Sequence, residues 1–295
     1  MPEQWTIQRT LEWCRGYLEK HDDENPRLSA EWLLSAATGL SRLNLYVNFD
    51  KPLSMEERAI LRESLKRRGQ GEPLQYITGE SGFRHIVVRT ASGVLIPRPE
   101  TELLVEQALP ALRRRPGARV LDLGCGTGCI GLTLALEAPC TVTLADLSEQ
   151  ALALARRNAE RLCAKAEFLR LDMLAPPPEG RQWELIVSNP PYLTGADMLV
   201  LEPALRFEPA MALFGGEDGL DFYRALTGLW VPALVPGGML LVEHGMGQGA
   251  AVAGLFSQAG LQDVRMLYDC EGRDRMVTGV RVRREDTCGE TEKGI

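Results

Sequence analysis

Hydrophobic positions in the first seventy residues recur at helical spacing. Trp5, Ile7, Leu11, Trp13, Cys14 and Leu18 fall on one helix face, and Leu28, Trp32, Leu33 and Ala36, opening after Pro26, make a second. Ser54-Met55-Glu56-Glu57 is a capping box, in which the hydroxyl accepts the Glu57 N–H and the Glu57 carboxylate reaches back. A third helix runs from there through Ile60, Leu61 and Leu65 to Lys66-Arg67-Arg68-Gly69, where cations and then glycine mark its end. Together these predict a small all-α N-terminal domain. The alternation in Ile86, Val87 and Val88 predicts a hairpin over 83–90 and 93–96. Pro97-Arg98-Pro99-Glu100-Thr101-Glu102 then opens a helix through Leu103, Leu104, Val105 and Leu109.

From Arg119 the period switches between strand and helix. Strands are predicted at 120–123, 141–147, 167–171, 185–188, 239–243, 264–268 and 276–282, and helices at 129–137, 149–162, 220–234 and 250–258. That alternation predicts an α/β fold: a doubly wound, mostly parallel, seven-stranded Rossmann-like sheet whose last two strands form an antiparallel hairpin. The expected organisation is a helical domain over 1–80, a hairpin linker over 81–97, an α/β domain over 98–284 and a disordered polar tail over 285–295.

Composition narrows the setting. With 295 residues, 45% apolar and 25% charged, the chain is long enough for two domains and a large core. No apolar run approaches the roughly 18 residues a membrane span needs. Met1-Pro2-Glu3-Gln4 lacks the basic start and apolar core of a signal peptide, so a cytoplasmic location is expected. The seven cysteines form no CxxC pair, and with only three histidines no metal constellation is visible; free thiols are expected. The net charge of −7 gives no support to a nucleic-acid-binding surface. A monomer is the default state.

Two motifs carry chemistry. In Val120-Leu121-Asp122-Leu123-Gly124-Cys125-Gly126-Thr127-Gly128 a buried strand ends in a glycine-rich turn that opens a helix, so backbone can approach a ligand closely. Its spacing is GxGxG; a dinucleotide fingerprint would need glycine where Cys129 stands. The next strand ends in Asp146, an acid suited to accept hydrogen bonds from two ribose hydroxyls. The second motif, Asn189-Pro190-Pro191-Tyr192, follows the strand at 185–188. Neither proline can donate to a ladder, so the chain must leave the sheet there, on the edge where open α/β folds bind ligands.

The glycine turn, Asp146 and the terminal hairpin resemble class I S-adenosylmethionine-dependent methyltransferases. An Asn-Pro-Pro-aromatic corner in that class marks transfer to a planar nitrogen. Such a nitrogen has a delocalised lone pair and attacks poorly. Acceptors on its two N–H groups, the Asn189 side-chain oxygen and the Pro190 carbonyl, would aim the lone pair and favour the positive charge that develops. Tyr192 offers a ring face or hydroxyl to the substrate plane. Around this core lie Gln75-Tyr76-Ile77-Thr78-Gly79, the 96–102 run, residues 208–220, Glu243-His244-Gly245 and Gly272-Arg273-Asp274-Arg275. With the helical N-terminal domain, the set resembles the release factor glutamine methyltransferase family over nearly the whole chain.

That resemblance implies methylation of N5 of the glutamine in the Gly-Gly-Gln motif of class 1 peptide chain release factors, with S-adenosyl-L-homocysteine as the second product. The helical domain and hairpin would help dock the release factor. For the cofactor it implies Gly124, Cys125, Gly126, Thr127, Gly128 and Asp146, with Asn189 touching both cofactor and substrate and Pro190, Pro191 and Tyr192 framing the glutamine. Asn189, Pro190 and Tyr192 would be the catalytic group. Met173 would flank the adenine, where a bulky aromatic is frequent in the class. Arg98, Glu100 and Glu102 either line the mouth or form an interdomain ion pair; His244 is expected to be structural, and Glu217 and Asp218 solvated. The competing assignment is a nucleic-acid amino methyltransferase acting on adenine N6 or guanine N2. It would call for a basic and aromatic recognition module, whereas the dense basic runs here, 66–68 and 113–115, sit at helix ends that favour cations anyway.

Overall fold

The computed structural model describes residues 4–282. The tail predicted over 285–295 lies outside the described residues. The chain divides into two compact units, one reaching to Glu80 and taking in Glu202–Phe207, the other comprising Ser81–Leu201 and continuing from Glu208.

The first unit is helical: α1 (Ile7–Glu19), α2 (Pro26–Thr38), α3 (Arg42–Val47), α4 (Met55–Gly69) and α5 (Leu74–Thr78). The predicted capping box is formed, with Glu57 N–H to Ser54 Oγ at 3.1 Å and Ser54 N–H to Glu57 Oε2 at 2.7 Å. Ile7, Cys14, Leu18, Leu33, Leu34, Leu61 and Leu65 build its core. Trp13 and Trp32, expected on the buried faces, are instead about half exposed at 51% and 44%. Smaller Cys14 and Ala30 fill the close helix contacts, while Trp13 stacks on Tyr17 and the Arg42 guanidinium lies over the Trp32 ring. The short α3 and α5 are too brief to leave a period and were not anticipated.

The second unit opens with a hairpin, β1 (Glu80–Phe83) and β2 (Ile86–Arg89), followed by α6 (Glu102–Arg113). Residues 93–96 were expected to be a hairpin strand and are not. The turn falls earlier, at Arg84 with φ +50°, and Gly93 sits in a turn with φ +87°. Val94 and Ile96 bury their side chains, and the Ile96 N–H goes to the Glu208 carboxylate (3.0 Å) rather than to a ladder.

Then follow β3 (Arg119–Leu123), α7 (Cys129–Glu137), β4 (Thr141–Asp146), α8 (Glu149–Leu162), β5 (Glu167–Arg170), β6 (Trp183–Ser188), α9 (Gly195–Leu199), α10 (Asp221–Ala225), β7 (Leu234–Glu243), α11 (Gly249–Gln258), β8 (Leu261–Tyr268) and β9 (Asp274–Arg281). The seven-stranded sheet runs β5-β4-β3-β6-β7-β9-β8 and is parallel except where β9 pairs with β7 and β8. Alternate side chains feed opposite cores: Val120, Leu185 and Val187 pack on one face, Leu121, Leu123 and Ile186 on the other. The helix expected over 220–234 breaks into α10, a π-turn over Leu226–Trp230 and a 3-10 turn over Val231–Ala233. Pro232 cannot supply an N–H to continue it, and the wound-out turn seats Trp230, whose Nε1–H reaches the Met173 carbonyl at 2.8 Å.

One buried side chain ties the hairpin to the glycine turn. Asn158, fully buried in α8, accepts the Arg89 N–H (2.7 Å) and donates to the carbonyls of Arg89 (3.1 Å) and Thr127 (2.9 Å). Asn158→Ala strands three backbone groups and is expected to cost ~2–4 kcal/mol in urea unfolding. A loss below half a kcal/mol would show that the link carries no stability.

Candidate functional site

The site forms where β3, β4 and β6 end on the same sheet edge. β3 hands over to a turn in which Gly124, Gly126 and Gly128 have φ of +78°, +54° and +80°, the region where a Cβ is disfavoured. At Gly128 a Cβ would also press to 3.1–3.2 Å on Leu132, Ala155 and Leu144, so glycine lets α7 start directly against the sheet. The Gly124 and Cys125 N–H groups both go to the Ala145 carbonyl (2.8 and 2.9 Å), fastening the turn to the end of β4.

Asp146 closes that end. Its Oδ2 accepts the Gly126 N–H and its Oδ1 the Ser148 N–H, both at 2.9 Å. Burial pushes its carboxyl pKa up, against the pull of these N–H groups. Each oxygen keeps a lone pair for a hydroxyl donor. Beneath the turn, fully buried Asp122 accepts the Gly131 N–H on Oδ2 (2.8 Å) and pins α7 to β3, while its Oδ1 has no partner among the described residues. Burial, opposed by that N–H and aided by the Asp146 charge, raises Asp122 to about 7.

β6 stops because Pro190 has no N–H to give. Just before it, Ser188 Oγ–H donates to the Leu123 carbonyl at 2.6 Å and joins the ends of β6 and β3. Asn189 turns its Nδ2 to Thr101 Oγ1 (3.1 Å), which leaves Oδ1 an open acceptor. Pro190 is buried; Pro191 and Tyr192 are half-buried. The corner is clamped from outside: Gln248 Nε2–H donates to the Tyr192 carbonyl (3.0 Å), and Gly215 packs so closely that a Cβ there would lie 2.7 Å from the Pro191 oxygen. Burial, then the Glu243 charge, pushes the Tyr192 phenol up to about 12, so it stays protonated at neutral pH.

These ends share a cavity of about 410 Å³, within the usual range of a small-molecule site. Gly124, Gly126, Thr127, Asp146, Met173 and Asn189 all line it, as does Cys125, whose thiol pKa burial holds well above its usual value. Pro191 lines it as well; Pro190 and Tyr192 are not among its lining residues. Met173 is nearly buried, and a methyl on Gly124 would come within 3.2 Å of its Cε, so the thioether lies across the turn. Arg98 lines the cavity too, but its guanidinium is spent on the Glu208 carboxylate and the Ile96 carbonyl. Glu102 instead accepts the Arg84 N–H (2.8 Å) at the hairpin turn. His244 is buried beside Gly245 and does not line the cavity; Glu217 and Asp218 are exposed, Asp218 paired with Arg224. Thr101, Glu208 and Glu243 shape the site from inside the 96–102, 208–220 and 243–245 runs, though the sequence assigns them no role there, while Ser188 and Gln248 lie outside those motifs. The backbone cradle, the hydroxyl-accepting acid and the apolar wall without a free cation suit a nucleoside thioether better than a phosphate.

A family model described as PrmC N-terminal domain matches residues 9–79, and one described as methyltransferase small domain matches residues 99–205. The release factor glutamine methyltransferase of Geobacter sulfurreducens is 48% identical over 281 residues, covering 94% of this chain and 98% of that protein. That of Salmonella typhimurium is 40% identical over 259 residues, covering 88% and 93%. Among solved structures, a methyltransferase from Pyrococcus furiosus covers 66% of this chain and 89% of its own, with a TM-score of 0.51 at 18% identity. The 16S rRNA methyltransferase RsmC of Thermus thermophilus, solved with AdoMet and guanosine, covers 68% and 49% with a TM-score of 0.51 at 20% identity. Likeness at that level speaks to the fold.

The orphaned Asp122 oxygen makes stability depend on pH. A carboxyl raised from 3.8 to about 7 is favoured protonated in the folded state, so its contribution is present at low pH and is lost as pH rises through about 7. Asp122→Asn is therefore expected to gain on the natural chain between pH 5 and pH 8, by on the order of 3 kcal/mol in chemical denaturation. A pH-independent difference would mean that Asp122 is ionised throughout.

Proposed function

The chain belongs to the release factor glutamine methyltransferase family, and on that premise we infer that it methylates the side-chain amide nitrogen, N5, of the glutamine in the Gly-Gly-Gln motif of class 1 peptide chain release factors. One observation carries the reading: the Asn189 corner, the glycine turn and Asp146 meet in a single cavity at adjoining strand ends. When bound, S-adenosyl-L-methionine supplies the electrophilic methyl group and departs as S-adenosyl-L-homocysteine.

The protein's own residues bind and aim. The turn 124–128 would hold the methionine part, Asp146 would accept the ribose hydroxyls, and Met173 would flank the adenine. Asn189 Oδ1 and the Pro190 carbonyl accept the two N–H groups of the glutamine amide and hold its plane so that the lone pair points at the methyl carbon. As the nitrogen gains the methyl it turns cationic, and both acceptors strengthen at that moment. The nitrogen then gives up one proton to solvent. Neutral Tyr192 and Pro191 wall the amide plane. The helical unit and the β1–β2 hairpin take up the rest of the release factor, and the chain works as a cytoplasmic monomer without contacting nucleic acid. No helix among the described residues is long and apolar enough to cross a membrane.

Purified chain with methyl-labelled S-adenosylmethionine is expected to label a class 1 release factor and to leave unlabelled a version whose Gly-Gly-Gln glutamine is changed to alanine. Equal label in both would refute the reading. Asn189→Ala is expected to lower kcat by roughly 10²–10³-fold, and a rate within threefold of the natural chain would remove Asn189 from the mechanism.

A further inference from the structure

Two runs singled out in the sequence, 96–102 and 208–220, both reach the cavity wall. Val94, Pro97 and Arg98 belong to one stretch of that wall, and Pro209, Met211 and Phe214 to another. Neither stretch is part of the seven-stranded sheet, so no ladder spaces them. One carboxylate joins them. Glu208 Oε2 accepts the Ile96 N–H at 3.0 Å, its Oε1 accepts from Arg98 Nη2, and Arg98 Nη1 returns to the Ile96 carbonyl at 3.0 Å. These bonds close a ring that uses both polar groups of the Ile96 backbone. The Glu208 side chain is 2% exposed and that of Arg98 30%, so the acid is the buried half of the pair.

Each stretch is also anchored on its own side. Gln150 Nε2–H donates to the Ser92 carbonyl at 2.6 Å, and Val94 packs on Ala151 and Leu154 of α8. Past Glu208, the Leu213 carbonyl accepts the Leu193 N–H and the Gly215 N–H goes to the Leu193 carbonyl, both at 2.8 Å. Leu193 directly follows Tyr192, so this second stretch is fastened to the Asn189 corner. The Glu208 ring therefore ties a piece of wall held by α8 to a piece held by the corner.

From this geometry we propose that Glu208 and Arg98 form a clasp that holds the cofactor pocket closed on its ligand, with Glu208 as a positioning residue for S-adenosylmethionine and its product. Neither Glu208 nor Ile96 lines the cavity, so the carboxylate acts through its neighbours and touches no reacting atom. When the clasp gives way, both stretches relax and a bound molecule leaves faster. Breaking it from one side is the harsher change. Arg98→Met strips a buried carboxylate of its cation, and Glu208→Gln sets an amide N–H against one of two donors that both need an acceptor. Removing both charges together leaves a neutral carboxamide whose oxygen still accepts the Ile96 N–H, so the double change is milder than either single one. The clasp concerns the cofactor alone and operates whichever amide is methylated.

The test needs no turnover. Full-length Glu208→Gln, Arg98→Met and the double variant are compared with the natural chain by calorimetric titration of S-adenosylhomocysteine, stopped-flow release of the same ligand, and urea unfolding. Each single variant is expected to weaken S-adenosylhomocysteine by about 10- to 100-fold, chiefly through faster release. The double variant is expected to return to within about fivefold of the natural chain. Single variants that release the ligand as slowly as the natural chain, whatever they lose in urea, would make the pair a structural strut and overturn the proposal. A double variant in which the two weakenings multiply would overturn it as well. Should Arg98→Met fail to fold, Glu208→Gln against the double variant decides, and Glu208→Gln must be the looser of the two. No release factor enters these measurements, so a failed clasp leaves the substrate reading standing, and natural chain that labels no release factor fails that reading while leaving the clasp in place.

Discussion

Two neighbouring parallel strands must stop at the same height for this site to exist. β3 and β6 pair over Val120–Leu185, Leu121–Ile186 and Asp122–Val187, and both then run out of ladder. β3 stops at a turn of left-handed glycines, and β6 at an imide with no N–H. A single hydrogen bond, Ser188 Oγ–H to the Leu123 carbonyl, ties the two stops together. Both the cofactor cradle and the Asn189 corner hang from that pair of endings, so their spacing is set by sheet geometry rather than by loops.

Buried carboxylates then do the fine placement, and each is directed by what donates to it. Asp146 takes two backbone N–H groups and fixes the turn to the end of β4. Glu208 takes the Ile96 N–H and the Arg98 guanidinium, which lays residues 93–98 along the cavity wall where a strand had been expected. Asp122 clips α7 to β3. Each carries a desolvation cost that donors offset in part. Among the described residues the carboxylate oxygens Asp122 Oδ1 and Glu243 Oε2 are buried without a hydrogen-bond partner, and they mark where that cost is least offset.

The parts of the molecule legible in the sequence are those where chemistry is local. Glycine spacing, Asp146 at a strand end and the proline corner each state a backbone requirement within a few residues, and the alternation of strand and helix states the sheet. Pairings between distant residues left no such trace. Thr101 lies inside the Pro97–Glu102 run, yet nothing in that stretch announces that its hydroxyl oxygen accepts the Asn189 Nδ2–H. The break of 220–234 was missed because its apolar period continues smoothly across Pro232, and only the need to seat Trp230 against Met173 reveals why the helix unwinds. Arg98 and Glu102 looked alike as charged neighbours of a motif; tertiary partners sent one to the cavity wall and the other to the hairpin turn.

A crystal structure of the chain with S-adenosylhomocysteine and a glutamine-containing Gly-Gly-Gln peptide tests the central claim most directly. The expected result puts the glutamine amide nitrogen about 3 Å from both Asn189 Oδ1 and the Pro190 carbonyl oxygen, facing the sulfur. An amide bound with its oxygen toward Asn189, or with its nitrogen held by other groups, would contradict it.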